Sequence, residues 1–201
     1  MEHVVVQLSD MLEVIGDGPI NLVLSDFSCP LSDDVEMFFN KKALLFEKCD
    51  RSRTYFVFMK NNEKYLLAGY YTLAIGSFVF DSSVSINRRK AILGSHQYQK
   101  SDIPAVLLGQ LGKNYHATAF NGALITGEKL LMLALKSALA INQIAGGRLI
   151  YLECKPEVKL MDFYTRHKFA LFENQDGTPY KTPTDDLIVY TMPFEVIKET
   201  V

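Results

Sequence analysis

Ile103-Pro104-Ala105-Val106-Leu107-Leu108-Gly109-Gln110-Leu111 is an apolar run of strand length, and together with the segments downstream of it this run decides the fold. A loop of small residues ends at Thr126-Gly127-Glu128-Lys129. An apolar helix pattern runs from Glu128 to Ile144, stops at Gly146-Gly147, and gives way to the strand-like Arg148-Leu149-Ile150-Tyr151-Leu152-Glu153-Cys154. A second helix pattern carries Asp162-Phe163-Tyr164-Thr165-Arg166-His167-Lys168-Phe169. Strand, loop, helix, strand, helix is a βαβα unit. Its first loop opens onto a helix N-terminus, where backbone N–H groups and the helix dipole suit a phosphate-bearing ligand. Leu130, Leu131, Leu133, Ala134, Leu135, Ala138, Leu139, Ala140 and Ile141 make the first helix apolar over most of its surface, which predicts burial.

Upstream, Thr54–Met59 and Tyr65–Phe80 read as an antiparallel hairpin turning at Lys60–Lys64, with Gly69 and Gly76 as bulges or bends. Ser32-Asp33-Asp34 offers a helix N-cap with acids in the first turn. Val35, Phe38, Phe39, Leu45 and Phe46 then recur at helical spacing. Val4–Leu8 reads as a short strand, Asp17-Gly18-Pro19 as a turn, and Asp81–Asp102 as a polar excursion. Downstream, Pro156 suits a first helical position, with Val158, Met161 and Tyr164 sharing one face. Leu187–Met192 is the last strand and Lys198–Val201 a frayed tail. The order predicts an α+β fold with a mixed central sheet of about six to seven strands flanked by helices. The 201 residues are expected to form a single domain, 1–201, large enough for a real core.

Composition narrows the function classes. Hydrophobic residues make up 48% and charged residues 22%, the balance of a soluble globular protein. No apolar run reaches the ~18 residues that a membrane span needs. Cys29, Cys49 and Cys154 are too widely spaced for a zinc or disulfide framework. With no signal-peptide pattern at the start, they point to a reducing cytoplasm. The net charge of −2 supplies no global positive field for nucleic acid, so any such contact must be local. Arg88-Arg89-Lys90, with Tyr98 and Lys100, could track an RNA backbone; the alternative is an ordinary solvated charge run. The His residues do not cluster with Cys or Asp at ligand spacing, so no metal site is expected. Cys29 and Cys154 read as buried small residues, and no Ser-His-Asp arrangement is suggested.

Three patches carry a resemblance: Phe27-Ser28-Cys29 with Asp33-Asp34, Phe38-Phe39 and Ala43; Ser52-Arg53-Thr54-Tyr55-Phe56-Val57 with Gly69-Tyr70-Tyr71-Thr72-Leu73-Ala74; and Ile103–Leu111 with Phe163-Tyr164 and Phe169. Together they resemble the GNAT superfamily of acyl-CoA-dependent N-acetyltransferases, over nearly the whole chain. The second patch resembles its toxin-type branch, which acetylates aminoacyl-tRNA and pairs with a DNA-binding antitoxin. The resemblance implies a GNAT fold with a βαβα acyl-CoA-binding core. It also implies acetyl-CoA as cosubstrate and an amine as acceptor, such as the α-amine of aminoacyl-tRNA. The alternatives are a degenerate GNAT domain acting as a binding module, and a small-molecule or peptide N-acetyltransferase. The apolar β-rich surface around Tyr70–Phe80 would support a homodimer.

The same resemblance assigns the site. Tyr164 stands where the family places a tyrosine that protonates the leaving thiolate; a phenol of pKa about 10 can donate to a thiolate whose acid has pKa about 8.5. The alternative is a core tyrosine. Leu111, Gly112 and Lys113 would offer backbone groups to the pantetheine arm, and Thr126, Gly127, Glu128 and Lys129 would bind phosphate. The family loop reads Gln/Arg-x-x-Gly-x-Gly/Ala. Its positions here are Gly122-Ala123-Leu124-Ile125-Thr126-Gly127, so only the last glycine matches. Gly122 stands at the loop's first binding position, and Ile125 replaces a glycine. No carboxylate lies within Val106–Leu111 to act as a base. That favours an α-amine, with pKa about 7.7–8.0, over a lysine amine near about 10.4. His116 and His96 are the histidine candidates for a base; the alternative is solvent exposure.

Overall fold

The computed structural model describes residues 2–93, 102–182 and 186–200. In chain order they form β1 (His3–Gln7), α1 (Leu8–Ile15), α2 (Asp17–Ser25), α3 (Asp33–Met37), a π turn (Phe38–Lys42) and α4 (Ala43–Lys48). Next come β2 (Arg53–Asn61), β3 (Lys64–Val79), α5 (Ile86–Leu93), β4 (Asp102–Lys113) and a 3-10 turn (Ala117–Gly122). The chain ends with α6 (Gly127–Ala145), β5 (Leu149–Cys154), α7 (Val158–Arg166), β6 (Ala170–Leu171), β7 (Ile188–Pro193) and α8 (Phe194–Lys198). The seven strands are hydrogen-bonded in the order β1-β2-β3-β4-β5-β7-β6. β4 and β5 run parallel. β1–β2, β2–β3, β5–β7 and β6–β7 are antiparallel. The sheet is therefore mixed, as the alternation of hairpin and βαβα patterns predicts.

The chain forms two compact units, Met1–Ala74 with Gly109–Ala134, and Ile75–Leu108 with Leu135–Val201. In the first, α1 to α4 cover β2 and β3 through Leu8, Ile20, Leu24, Phe27, Phe38, Phe39, Phe56 and Tyr70. Phe39 lies between Phe27, Phe56 and Tyr70, with ring centroids 4.4, 5.1 and 4.5 Å away. Full burial of one such side chain contributes about 1.5–3 kcal/mol. The hairpin carries a bulge: Val57 faces Gly69 and Phe58 faces Leu67, leaving Ala68 unpaired. Gly69 sits there because a Cβ would come within 2.6 Å of the Gly112 carbonyl oxygen. In the second unit, Phe78, Phe80, Ile103, Ala105, Leu149, Phe172 and Val189 form the core.

Four local expectations are corrected. Asp17-Gly18-Pro19 does not turn the chain but opens α2. The break falls one residue earlier, at Gly16, whose φ of 74° ends α1. Pro19 lies in the first turn of α2, where the absent N–H has no helical acceptor to lose. Pro156 lies outside α7, which begins at Val158 after Glu157 as N-cap. The polar stretch from Asp81 holds α5, and the tail is anchored by α8 through buried Phe194 and Ile197. On β3, Tyr70–Leu73, Phe78 and the following Phe80 are buried within the chain, and the exposed apolar side chains reduce to Ile75 and Val79.

Candidate active site

In the first unit, β4 carries the chain through Gly109-Gln110-Leu111-Gly112-Lys113 into the loop before α6. Gly112 is buried, and a Cβ on it would lie 2.5 Å from Val35 Cγ1 and 2.9 Å from Tyr70 Cε1. The glycine lets α3 and the Tyr70 ring close over the strand. Gly112→Ala is therefore expected to destabilise the protein by about 1–3 kcal/mol, read from the midpoint of urea unfolding. Leu111 is half-buried, and the Lys113 ammonium lies 5.4 Å from the centroid of the Tyr115 ring.

The turn past β4 is held by Asn114, a polar residue to which the sequence alone gives no role. It is wholly buried. Its Nδ2 donates to the carbonyls of Asp26 (2.7 Å) and Leu67 (3.0 Å). Its Oδ1 accepts from the N–H groups of Ser28 (3.1 Å) and His116 (2.9 Å). Every donor and acceptor of the amide is used. An Asn at a strand end carries no pattern signal in the sequence, because its partners come from three separate segments.

His116 caps the 3-10 turn: its Nδ1 accepts from the Thr118 N–H and lies 2.9 Å from Thr118 Oγ1. His96, Tyr98 and Lys100 lie outside the described residues. Gly122 has φ +85°, and Tyr115 Cε1 lies 2.7 Å from where its Cβ would be, so this glycine is required by conformation and packing. Ile125 is 4% exposed and Leu124 9% exposed. Both side chains turn into the core, and Ile125 keeps a φ outside the left-handed region. The Ile125 side chain therefore does not stand over the loop's outer surface.

Thr126 caps α6: its Oγ1 accepts from the Lys129 N–H (3.1 Å) and its carbonyl from the Leu130 N–H (3.1 Å). The Lys129 N–H is thus satisfied by protein. The N–H groups of Gly127 and Glu128, one step earlier, have no acceptor among the described residues. These are the groups that a helix start presents to an anion. Lys129 and Glu128 are exposed, and neither has an ion-pair partner among the described residues. The Glu128 carboxylate suits the helix dipole and repels a phosphate.

Carboxylates reach this unit from α3. Gln110 Nε2 donates to Asp34 (3.1 Å), and Glu36 accepts from the Cys29 N–H (2.5 Å) and Ser28 Oγ (3.1 Å). Glu47 on α4 is buried and accepts from the Thr54 N–H (2.7 Å), with Arg53 and Gln7 beside it. Burial raises its pKa above the ordinary carboxyl value, against the N–H of Thr54 and the charge of Arg53. Arg53 is held by Asp50 (2.6 Å) and Glu47. It joins α4 to β2.

In the second unit, Tyr164 lies on α7 and is buried, while Met161 is half-buried and Val158 is 73% exposed. The expected three-residue face therefore opens toward solvent at its N-terminal end. The Tyr164 ring packs against Phe163, Phe169 and Tyr190, with centroids 5.2, 5.7 and 5.9 Å away. Its hydroxyl makes no hydrogen bond among the described residues. Burial, and to a smaller degree Cys154, pushes the phenol well above its ordinary range. Cys154 itself is raised to about 11 by burial, and burial likewise raises Cys29, so both thiols stay protonated at neutral pH. Arg88 donates to the Leu171 carbonyl, and Arg89 to the carbonyls of Val84 (3.0 Å) and Asp81 (2.8 Å). Both guanidinium groups brace α5 instead of forming a free basic run. Among the described residues no cluster of His, Cys, Asp and Glu could hold a metal ion. No described helix is long and apolar enough to cross a membrane.

No family model matches the chain, and no curated protein sequence matches it. In fold, 76 chains of solved structures match. A mutant AtaT toxin bound to the C-terminus of the antitoxin AtaR and acetyl-CoA is 16% identical, with a TM-score of 0.63, covering 100% of this chain and 98% of that one. AtaT complexed with acetyl-methionyl-tRNAfMet is 18% identical, with a TM-score of 0.64 and 99% of each chain covered. A tyrosine-to-phenylalanine mutant of KacT is 16% identical, with a TM-score of 0.64 and 100% of each chain covered. This is a likeness of fold, and it bears out the α+β, mixed-sheet GNAT fold that the resemblance implied.

Proposed function

We propose that the chain is an acetyl-CoA-dependent N-acetyltransferase of the toxin type, acting on the α-amine of aminoacyl-tRNA and held in check by an antitoxin protein. One observation carries the reading: the fold runs end to end with that of proteins solved with acetyl-CoA, with an antitoxin and with acetyl-methionyl-tRNA. The chain's own residues agree with it. Gly127 and Glu128 offer free N–H groups at the start of α6 for the pyrophosphate, and Lys129 offers a cation without an ion-pair partner among the described residues. The main-chain groups of Leu111, Gly112 and Lys113 serve the pantetheine arm. Tyr164 keeps its proton, and its hydroxyl has capacity left for the leaving sulfur.

In the reaction the amine nitrogen forms a bond to the thioester carbonyl carbon and the carbon–sulfur bond breaks. The Tyr164 hydroxyl gives its proton to the departing thiolate. The amine proton passes to water, from which the phenolate is reprotonated. An α-amine of pKa about 7.7–8.0 is already about half neutral near pH 8, so no buried carboxylate base is required.

Titration calorimetry of the full chain with acetyl-CoA tests the cosubstrate. Binding at micromolar to low millimolar ligand is expected. Absence of heat at millimolar ligand would leave a GNAT-fold binding module as the reading. Incubation with acetyl-CoA and charged tRNA, followed by mass spectrometry of the aminoacyl nucleoside, tests the acceptor. Acetylation of free amines or peptides in place of charged tRNA would move the substrate to a small molecule.

A further inference from the structure

Phe120 is the least comfortable residue of the first unit. Its backbone lies at φ 52°, ψ 42°, the left-handed region, and its ring is 52% exposed. Asn121 follows at φ 52° and Gly122 at φ +85°. Asn and Gly tolerate that conformation, whereas a bulky aromatic does so only under strain. An exposed ring and a strained backbone are both unfavourable, and neither is needed to turn the chain, which a glycine would do better. The surroundings hold the strain in place. Asn114 fixes the entry to the loop, Ala119 is wholly buried, Tyr115 covers Gly122, and the Phe120 carbonyl accepts from the Ala123 N–H (3.2 Å). A rigid loop thus presents one aromatic face outward, and the chain then runs directly into Thr126 and the start of α6. Strain that the surrounding structure over-determines clusters at active sites and ligand clamps.

We infer that Phe120 is a stacking platform for the purine base of the acyl-carrying cosubstrate, placed in the loop that leads to the phosphate-binding helix start. The inference rests on the acetyl-CoA reading above. The segment between β4 and α6 carries matching chemistry at its two ends. Lys113 and Lys129 are cations without carboxylate partners among the described residues, suited to the phosphates of a nucleotide. The exposed ring supplies the apolar face that a purine needs. A base stacked on an aromatic side chain gains enough to be measured by removing the ring, whatever the base's hydrogen-bonding edge.

The test compares acetyl-CoA with acetyl-pantetheine, which lacks the nucleotide, by calorimetry on the full chain. Phe120→Ala keeps a Cβ, so the backbone strain stays and only the ring is lost. It is expected to weaken acetyl-CoA about 5- to 100-fold and to leave acetyl-pantetheine unchanged. Phe120→Gly relieves the strain, so it is expected to melt at or above wild type while showing the same loss, which separates binding from folding. Wild-type affinity for acetyl-CoA in Phe120→Ala overturns the platform and leaves the acetyltransferase reading standing. So does a loss confined to a single-stranded RNA oligonucleotide, which would assign the ring to the acceptor. Equal weakening of both thioesters also overturns it. Failure of the wild type to bind either thioester overturns both.

Discussion

Tyr164→Phe is expected to lower turnover about 100-fold or more while leaving the affinity for acetyl-CoA within about twofold. The substitution removes one hydroxyl and keeps the ring that packs on Phe163, Phe169 and Tyr190. That hydroxyl makes no hydrogen bond among the described residues, so stability should change by less than about 1 kcal/mol. A core tyrosine would give the same stability and unchanged turnover, so rate alone decides between the roles. The pH profile adds a second readout. Burial raises the Tyr164 pKa, so the acid stays protonated through the whole range in which the α-amine loses its proton. Turnover should rise with pH through about 7–9 as the amine becomes neutral, and any fall caused by Tyr164 must lie above about pH 10. The same shift has a stability consequence. The folded pKa is raised, so this contribution is fully present below the unfolded value of about 10 and is lost as pH rises above it. Unchanged turnover in Tyr164→Phe would remove the general acid from the proposal without touching the fold.

The parts of this chain that were legible in its sequence are those whose residues speak for themselves. The β4 run and the long α6 pattern were read within a few residues because a buried strand and a buried helix repeat their apolar residues locally. The bulge at Gly69 was read because glycine inside a strand has few other reasons to be there. α1 and α2 were missed although Leu8, Met11, Leu12 and Ile15 are spaced like one helix face. Pro19 does not separate the two readings, since proline suits a turn and a helix's first turn alike. The site was less legible, because its meaning depends on where side chains turn. Ile125 replaces a glycine of the family loop, yet it points into the core and its φ is not left-handed. Gly122 stands at the first binding position of the family loop, yet φ +85° and the Tyr115 ring account for it. Arg88 and Arg89 read as an RNA-tracking run or as a solvated one, yet they bond carbonyls of their own unit. Local composition cannot show these choices, because each is settled by residues distant in the chain.

Asn114→Ala is expected to be among the most damaging single substitutions in the first unit, at about 3–5 kcal/mol, because it strands four backbone groups at once. The Asp26 and Leu67 carbonyls lose their donors, and the Ser28 and His116 N–H groups lose their acceptor, in a place with no solvent access to Asn114 itself. Asn114→Leu restores volume but none of the four bonds, so it should be no better than alanine. Asn114→Asp separates packing from hydrogen bonding most sharply. It keeps the shape and the two accepted bonds, but at neutral pH it turns an oxygen toward two carbonyl oxygens and buries a charge. It should therefore destabilise at least as much as alanine at pH 7, measured by urea unfolding of matched variants. A loss below about 1 kcal/mol in Asn114→Ala would mean that the loop relaxes and finds other partners. Because Asn114 sets the turn from β4 into the loop that carries Phe120 and ends at α6, its loss should also weaken acetyl-CoA binding under conditions in which the protein remains folded. Tyr164→Phe should not, which separates damage to the binding loop from damage to the chemical step.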